Sequence, residues 1–303
     1  MIKTLASSLD AIEGPNEWDL RSGVTYRDQA FPEGLRIFQS ELYAAIKQDP
    51  ETTHFDVVAP SIVQTAHAAD LGAVPCDTGN MHTYMGSYPS EPKLFRKIAD
   101  AQVVCPGQPV MATEAGWHSA KTDPRSQGVS ESVASKLIPR LWLEFFNHGI
   151  QRTFIYELID LFPEDGDKEN RFGLLRSDGS RKPAFIALKN MMHLLADAGF
   201  AFVPEMLNYR LEGSVGRIHH TLLQKSNRNF YLILWQEVPA FDRRKRDLVV
   251  PDRSVTLSLQ TPMQLARLYR PLESDQSLAV WQKPTSIQLQ IPDHPLIVEL
   301  VPI

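Results

Sequence analysis

The sequence has few cysteines and no long apolar run. Cys76 and Cys105 are the only cysteines among 303 residues, too few for a metal site or a disulfide scaffold. No stretch approaches the roughly 20 consecutive apolar residues of a membrane-spanning helix, and residues 1–10 lack the apolar segment of a secretory signal. We therefore expect no membrane partner, a cytoplasmic location and two free thiols. The alternative is that both cysteines, which shortly precede predicted strands, meet at one rim of the fold.

The sequence also lacks an excess of positive charge. The formal net charge is -5 and the pI is near 6.0, whereas nucleic-acid binding requires a basic face. The basic run Arg243–Arg246 is flanked by aspartates, which favours a solvated loop. We expect no nucleic-acid partner.

Neither of two weak metal-binding patterns is convincing. Residues Glu164–Asn170 are acidic but lack the ligand spacing of a dedicated Ca²⁺ loop. His219 and His220 are adjacent on a predicted strand, so their side chains point to opposite faces. The sequence predicts no metal site.

Apolar strands alternate with amphipathic helices over residues 1–200. Helices are predicted at Glu33–Gln48, Ile62–Leu71, Glu91–Val103, from Glu131 to about Gly149, and from Pro183 to just before Gly199. Strands are predicted to end near Glu17, Ala59, Tyr84, Glu114 and Glu157, with a loop at Met85–Pro89. This alternation is typical of a parallel α/β sheet, so we predict a partial (β/α) barrel of the TIM type with about five βα units.

The pattern changes after about residue 200. Short, often alternating apolar runs follow, separated by turn residues: Ile218–Leu223, Phe230–Trp235, Val255–Leu259, Ile287–Ile291 and Val298–Val301. Such runs predict a C-terminal antiparallel, sandwich-like β-domain. The predicted domains are 1–200 and 201–303.

Two of the predicted barrel strands end in a glutamate. Gly14 and Pro15 stop the first strand just before Asn16 and Glu17, and the strand beginning at Val110 ends at Glu114. The carboxyl ends of parallel strands meet at one mouth of a barrel. Paired carboxylates at such a mouth are the groups that cleave glycosidic bonds.

These motifs resemble the retaining β-glycosidases of glycoside hydrolase clan A, the cellulase-like and xylosidase-like barrels. The resemblance covers residues 9–200 and rests on Asn16-Glu17, His82-Thr83-Tyr84, Thr113–Gly116, Phe172–Leu175, Asp178-Gly179 and Lys182–Ala184. It implies that Glu17 is the acid/base and Glu114 the nucleophile, that the substrate is an oligosaccharide or polysaccharide, and that no cofactor is needed. A strand-end glutamate in a salt bridge is the alternative for Glu17.

The resemblance also implies sugar-binding residues. Asn16 would bind the sugar 2-hydroxyl, His82 would contact the sugar, and Tyr84 would orient the nucleophile. The alternatives are a turn-forming asparagine and a core histidine and tyrosine. Trp117 would stack on a sugar face or else pack the barrel rim.

The sequence departs from the family pattern at the last barrel strand. The family usually has a tryptophan beneath the sugar there, whereas this sequence has Tyr156-Glu157. Glu157 would bind substrate hydroxyls or pair with a neighbouring arginine.

The position of Asn16-Glu17 leaves no room for the three barrel units that precede this motif in the family. Five parallel strands cannot close a barrel, so we expect open edges that favour oligomerisation. We also expect weak or no hydrolysis by this chain alone. The alternative function is that of an inactive, truncated barrel that binds carbohydrate.

Overall fold

A computed structural model describes residues 2–84, 91–123, 125–126, 128–163, 166–242 and 244–303. The α-helices are α1 (Ile2–Leu5), α2 (Glu33–Gln48), α3 (Thr65–Leu71), α4 (Glu91–Val104), α5 (Glu131–Asn147) and α6 (Pro183–Leu195). The first strands are β1 (Ala11–Glu13), β2 (Asp56–Val58), β3 (Gly79–Tyr84), β4 (Val110–Gly116) and β5 (Ile150–Ile155). The later strands are β6 (Tyr209–Gly213), β7 (Ile218–Gln224), β8 (Phe230–Gln236), β9 (Arg253–Leu259), β10 (Met263–Tyr269), β11 (Ala279–Gln282), β12 (Ser286–Ile291) and β13 (Leu296–Pro302).

The described residues form two compact units. The first unit contains residues 2–84, 91–116 and 145–156, and the second contains residues 117–144 and 157–303. The division into 1–200 and 201–303 stays a prediction.

The first unit contains the parallel strands. β1 pairs with β2, and β3, β4 and β5 form a sheet in that order. A parallel bridge between Val58 and Thr78 connects β2 to the residue before β3. Neighbouring strands therefore follow one another in sequence order, and all five carboxyl ends lie at the same edge. The predicted partial barrel is confirmed.

Amphipathic periodicity explains the longest helix of this unit. In α2, Leu35 and Ile46 lie on one face and are buried, as a spacing of three and four residues predicts. The predicted bounds of α2 agree with the structure, whereas α3 begins at Thr65, three residues later than predicted. Asp19 accepts the backbone N–H groups of Val63 and Gln64, which keeps this segment in an extended conformation.

The second unit contains two antiparallel sheets, ordered β11-β10-β13-β8-β7 and β12-β9-β6. Alternate residues of both sheets contribute to one core, including Leu232, Leu234, Leu257, Leu289 and Val298. The predicted antiparallel C-terminal β-domain is confirmed. Sequence reasoning missed β6, β10 and β11.

The prediction of two free thiols is wrong, because Cys76 and Cys105 form a disulfide bond with a Cα–Cα distance of 6.1 Å. Cys76 lies between α3 and β3, and Cys105 directly follows α4. Both lie near the amino ends of the parallel strands, where the packing of α4 brings them together. Disulfides are rare in reducing compartments, so this bond counts against the cytoplasmic location, which stays a prediction.

No described helix is long and apolar enough to cross a membrane. The predicted loop Met85–Pro89 lies outside the described residues, as do Glu164, Asp165 and Arg243 of the two charged loops.

Candidate active site

The loop after β1 begins at a glycine. Any residue with a side chain at this position would displace neighbouring atoms. The Gly14 N–H donates to the Val58 carbonyl at 3.0 Å, which holds the loop against β2. A Cβ atom on Gly14 would lie 2.3 Å from the Gln39 Oε1 and 2.8 Å from the Pro60 backbone nitrogen. Glycine therefore allows the chain to pass closely beside β2 on its way to Glu17.

Glu17 has a left-handed backbone conformation, with φ 47° and ψ 40°. This region is uncommon for a residue with a Cβ and is frequent at functional sites. The Glu17 N–H donates to the Ser61 hydroxyl at 2.9 Å. Two residues later, the buried Asp19 carboxylate accepts the Val63 and Gln64 N–H groups at 3.1 and 3.0 Å. These bonds fix the loop, and so the direction of the Glu17 side chain.

Glu114 lies on β4, opposite His82 in the parallel register with β3. The Tyr84 hydroxyl donates a hydrogen bond to the Glu114 Oε2. Burial, followed by this hydrogen bond and the charges of Glu114 and Glu17, raises the pKa of Tyr84 above its ordinary value. Tyr84 therefore stays a neutral donor to Glu114.

His82 lies between the two carboxylates. Its side chain is buried, with Nδ1 2.8 Å from the Glu17 Oε1 and 3.5 Å from the Glu114 Oε2. Burial alone would lower the pKa of His82, but the nearby Glu13 carboxylate, the hydrogen bond to Glu17 and the charges of Glu114 and Glu17 outweigh it and raise this pKa to about 9. At neutral pH the ring is an imidazolium that donates from both nitrogens.

The acids and the histidine form a compact group. One carboxylate oxygen of Glu17 and one of Glu114 lie within 4.8 Å of each other and of a His82 ring nitrogen. This spacing of the nearest oxygens is compatible with two carboxyl groups acting on one bond. Although these three residues could hold a metal ion, the imidazolium form of His82 has no lone pair with which to bind one.

A third carboxylate, which sequence reasoning missed, belongs to Glu13 at the end of β1. Its Oε1 accepts hydrogen bonds from Asn80 Nδ2 at 2.7 Å and Thr113 Oγ1 at 3.0 Å. The Thr113 hydroxyl also lies 2.9 Å from His82 Nε2. The sequence signal that could have identified Glu13 is its position at the end of a short strand. It was missed because the strand was predicted to continue towards Glu17.

The remaining predicted residues occupy different surroundings. Asn16 is exposed and lines a cleft of about 570 Å³ in the first unit, whose walls include Glu13, Trp18, Arg21, Tyr26 and Phe38. Trp117 belongs to the second unit, and its side chain is buried.

Glu157, also in the second unit, is half-buried. Its Oε1 has no hydrogen-bond partner among the described residues. Burial, followed by the charges of Asp160 and Glu169, raises the pKa of Glu157. The roles of Asn16, Trp117 and Glu157 in sugar binding stay predictions.

Tyr156 replaces the tryptophan of the family pattern and follows β5 directly. Its ring packs edge to face against Tyr84, with centroids 6.3 Å apart. A Cβ atom on Gly116 would lie 2.7 Å from the Tyr156 carbonyl oxygen. The glycine of the Thr113–Gly116 motif therefore allows β4 to approach Tyr156, which supports the tyrosine bonded to Glu114.

Solved structures of glycoside hydrolases share this fold. A glucosidase from Croceicoccus marinus superposes with a TM-score of 0.61 at 10% identity, covering 95% of this chain and 68% of that one. A family 39 glycoside hydrolase from Xanthomonas axonopodis pv. citri superposes with a TM-score of 0.55 at 16% identity, and the match covers 97% of this chain and 68% of that one. A family 39 glycoside hydrolase from Bacteroides cellulosilyticus superposes with a TM-score of 0.54 at 15% identity, and the match covers 99% of this chain and 59% of that one.

These similarities confirm, at the level of fold, the resemblance to clan A. No protein-family model and no curated protein sequence matches the chain. The chain spans 59% of the length of the Bacteroides structure and 68% of the other two. A shared fold leaves the chemistry to be argued from the site itself.

Proposed function

We propose that the protein is a glycosidase that cleaves an O-glycosidic bond of an oligosaccharide or polysaccharide with retention of configuration. The observation that carries the proposal is the group of Glu17, His82 and Glu114, in which one oxygen of each carboxylate lies within 4.8 Å of the other. Retaining glycosidases need two carboxyl groups at about 5 Å, so that one attacks the anomeric carbon and the other protonates the leaving oxygen. The proposal needs no cofactor.

In the first step, an oxygen of Glu114 forms a bond to the anomeric carbon while the glycosidic bond breaks. The leaving oxygen takes a proton from Glu17. The Tyr84 hydroxyl, which donates to the Glu114 Oε2, keeps that oxygen occupied and directs the other towards the sugar. The product of this step is a glycosyl ester of Glu114 and a free alcohol.

In the second step, water attacks the anomeric carbon and the ester bond to Glu114 breaks. Glu17 takes the proton of that water. The ester carries no charge, so its formation removes a negative charge beside Glu17 and favours the carboxylate form of Glu17 that accepts a proton. The same residue can therefore act first as an acid and then as a base.

The test uses purified protein with a panel of aryl β-glycosides of different leaving-group acidity. We expect Glu114→Gln to abolish turnover of every substrate. We expect Glu17→Gln to lower turnover by about 10²–10⁴-fold for poor leaving groups, and by less for leaving groups that depart without a proton. Glu33→Gln, at an exposed carboxylate on α2, is the matched control and should change nothing.

Proton NMR of the first-formed sugar decides the stereochemistry, and a β-anomer is expected. Unchanged turnover in Glu114→Gln would remove the nucleophile assignment. If calorimetry shows that the wild type binds oligosaccharides, and no assay detects their cleavage, the result supports the carbohydrate-binding alternative instead.

A further inference from the structure

Glu13 lies at the centre of hydrogen bonds from two other strands. Asn80 on β3 and Thr113 on β4 both donate to its Oε1, at 2.7 and 3.0 Å. The Glu13 side chain is 35% exposed, so it remains partly in contact with solvent. The carboxylate at the end of β1 thus links this strand to β3 and β4.

Thr113 connects this carboxylate to His82. Its hydroxyl has a single hydrogen, which it can donate to Glu13 at 3.0 Å or to the Asn80 Oδ1 at 2.8 Å. In either case the hydroxyl oxygen is left to accept from His82 Nε2, at 2.9 Å. His82 Nδ1 then donates to Glu17 at 2.8 Å. When Thr113 donates to Glu13, a continuous series of hydrogen bonds runs from Glu13 through Thr113 and His82 to Glu17. When it donates to Asn80, the Asn80 amide, which itself donates to Glu13, completes the series.

We infer that Glu13 is a positioning residue of the proposed glycosidase. It acts through Thr113 and His82 to keep the histidine charged and its Nδ1–H directed at Glu17. The inference rests on the proposed function only for its effect on turnover, because its effect on His82 exists with or without a substrate.

The charges around His82 decide the direction of the effect. The carboxylates that face the ring are Glu13 from β1, Glu17 from the loop after β1 and Glu114 from β4. Tyr84, on the same strand as His82, is a neutral donor to Glu114. Two lysines on α4 are nearby cations: Lys93 donates to the Tyr84 carbonyl, and Lys97 interacts with Glu17 through its charge. Glu13 contributes both the distant end of the hydrogen-bonded series and a negative charge 3.8 Å from His82 Nε2.

Removing the Glu13 charge should therefore lower the pKa of His82, since a nearby negative charge stabilises the protonated imidazole. A charge at this distance shifts a pKa by about one unit or more. In Glu13→Gln, the alkaline limb of the pH profile of kcat/KM should move to lower pH, because His82 loses its proton at a lower pH.

The experiment is an NMR titration of His82 in folded, ¹⁵N-histidine-labelled protein without substrate, followed by pH profiles of kcat/KM. Glu13→Gln should lower the His82 pKa by about one unit or more. Glu13→Asp, which restores the charge, should recover most of the wild-type value. Thr113→Val breaks the series without changing any charge and should move the His82 pKa in the same direction. Glu33→Gln should leave it unchanged.

An unchanged His82 pKa in Glu13→Gln would overturn the inference, whatever the activity. If Glu13→Gln does not fold, Thr113→Val decides in the same way. A lowered His82 pKa in a protein whose wild type never cleaves a glycoside would remove the proposed function and leave the effect of Glu13 on His82 standing. A lowered His82 pKa with an unshifted pH profile would contradict the catalytic part of the inference.

Discussion

At the scale of single residues, the charge of His82 makes stability depend on pH. The folded-state pKa of about 9 lies above the ordinary value of 6.5. The stabilisation is therefore fully present below pH 6.5 and is lost as the pH rises through about 9. The linked free energy is about 3 kcal/mol, as an order of magnitude.

We predict that the free energy of unfolding of the wild type falls, relative to that of His82→Gln, between pH 6.5 and 9. The glutamine variant retains a hydrogen-bonding side chain but cannot be protonated in this range, so the difference between the two proteins isolates the titration. Urea unfolding at several pH values measures it. A difference that is constant with pH would mean that His82 does not carry the charge assigned to it.

At the scale of secondary-structure elements, the disulfide ties the segment between α3 and β3 to the end of α4. The two cysteines are 29 residues apart in the sequence, and Cys105 is buried among apolar residues of the first unit. A bond that closes a loop of this length removes conformational entropy from the unfolded chain, and the chain-entropy estimate is about 3 to 4 kcal/mol.

We predict that the double substitution of Cys76 and Cys105 by serine lowers the free energy of unfolding by about that amount. Denaturant unfolding of the variant and of the oxidised wild type measures it. Wild-type protein treated with reductant should approach the variant, and reductant should have no effect on the variant itself. Equal stability of oxidised wild type and variant would show that the bond does not constrain the unfolded chain.

At the scale of the whole molecule, the parallel strands leave edges that are unpaired among the described residues. β1 pairs with β2, β5 pairs with β4, and neither has a second neighbouring strand in that part of the chain. Most of β5 is partly or fully exposed, and Phe154 is 51% exposed. Parallel strands are normally covered on both faces and paired on both sides, so this edge favours association.

We predict concentration-dependent self-association that Phe154→Lys weakens by about ten-fold or more, because burial of a phenylalanine contributes roughly 1.5–3 kcal/mol. Sedimentation velocity over the micromolar range measures it. Phe200→Lys is the matched control, since Phe200 is exposed but belongs to no strand, and it should associate like the wild type. A wild type that stays monomeric throughout would remove the edge as an interface.

The sequence by itself determined the order of the parallel strands and of helices α2 to α6, and the two predicted catalytic acids. The periodicity of α2, Pro183 at the start of α6 and the strands that lead to Glu17 and Glu114 are local signals, since each depends on residues a few positions apart. Because parallel strands align their carboxyl ends, strand order was enough to predict that two distant glutamates approach each other.

Only the tertiary structure decided which side chains surround those acids. Glu13, Asn80 and Thr113 lie on three strands, and no local pattern links them; the register between β3 and β4 brings Asn80 and Thr113 to Glu13. The disulfide likewise depends on how α4 packs, which the spacing of two cysteines does not encode. Hydrogen bonds and charges act over a few ångströms in space, so the chemical state of His82 follows from the folded arrangement and not from its neighbours in the chain.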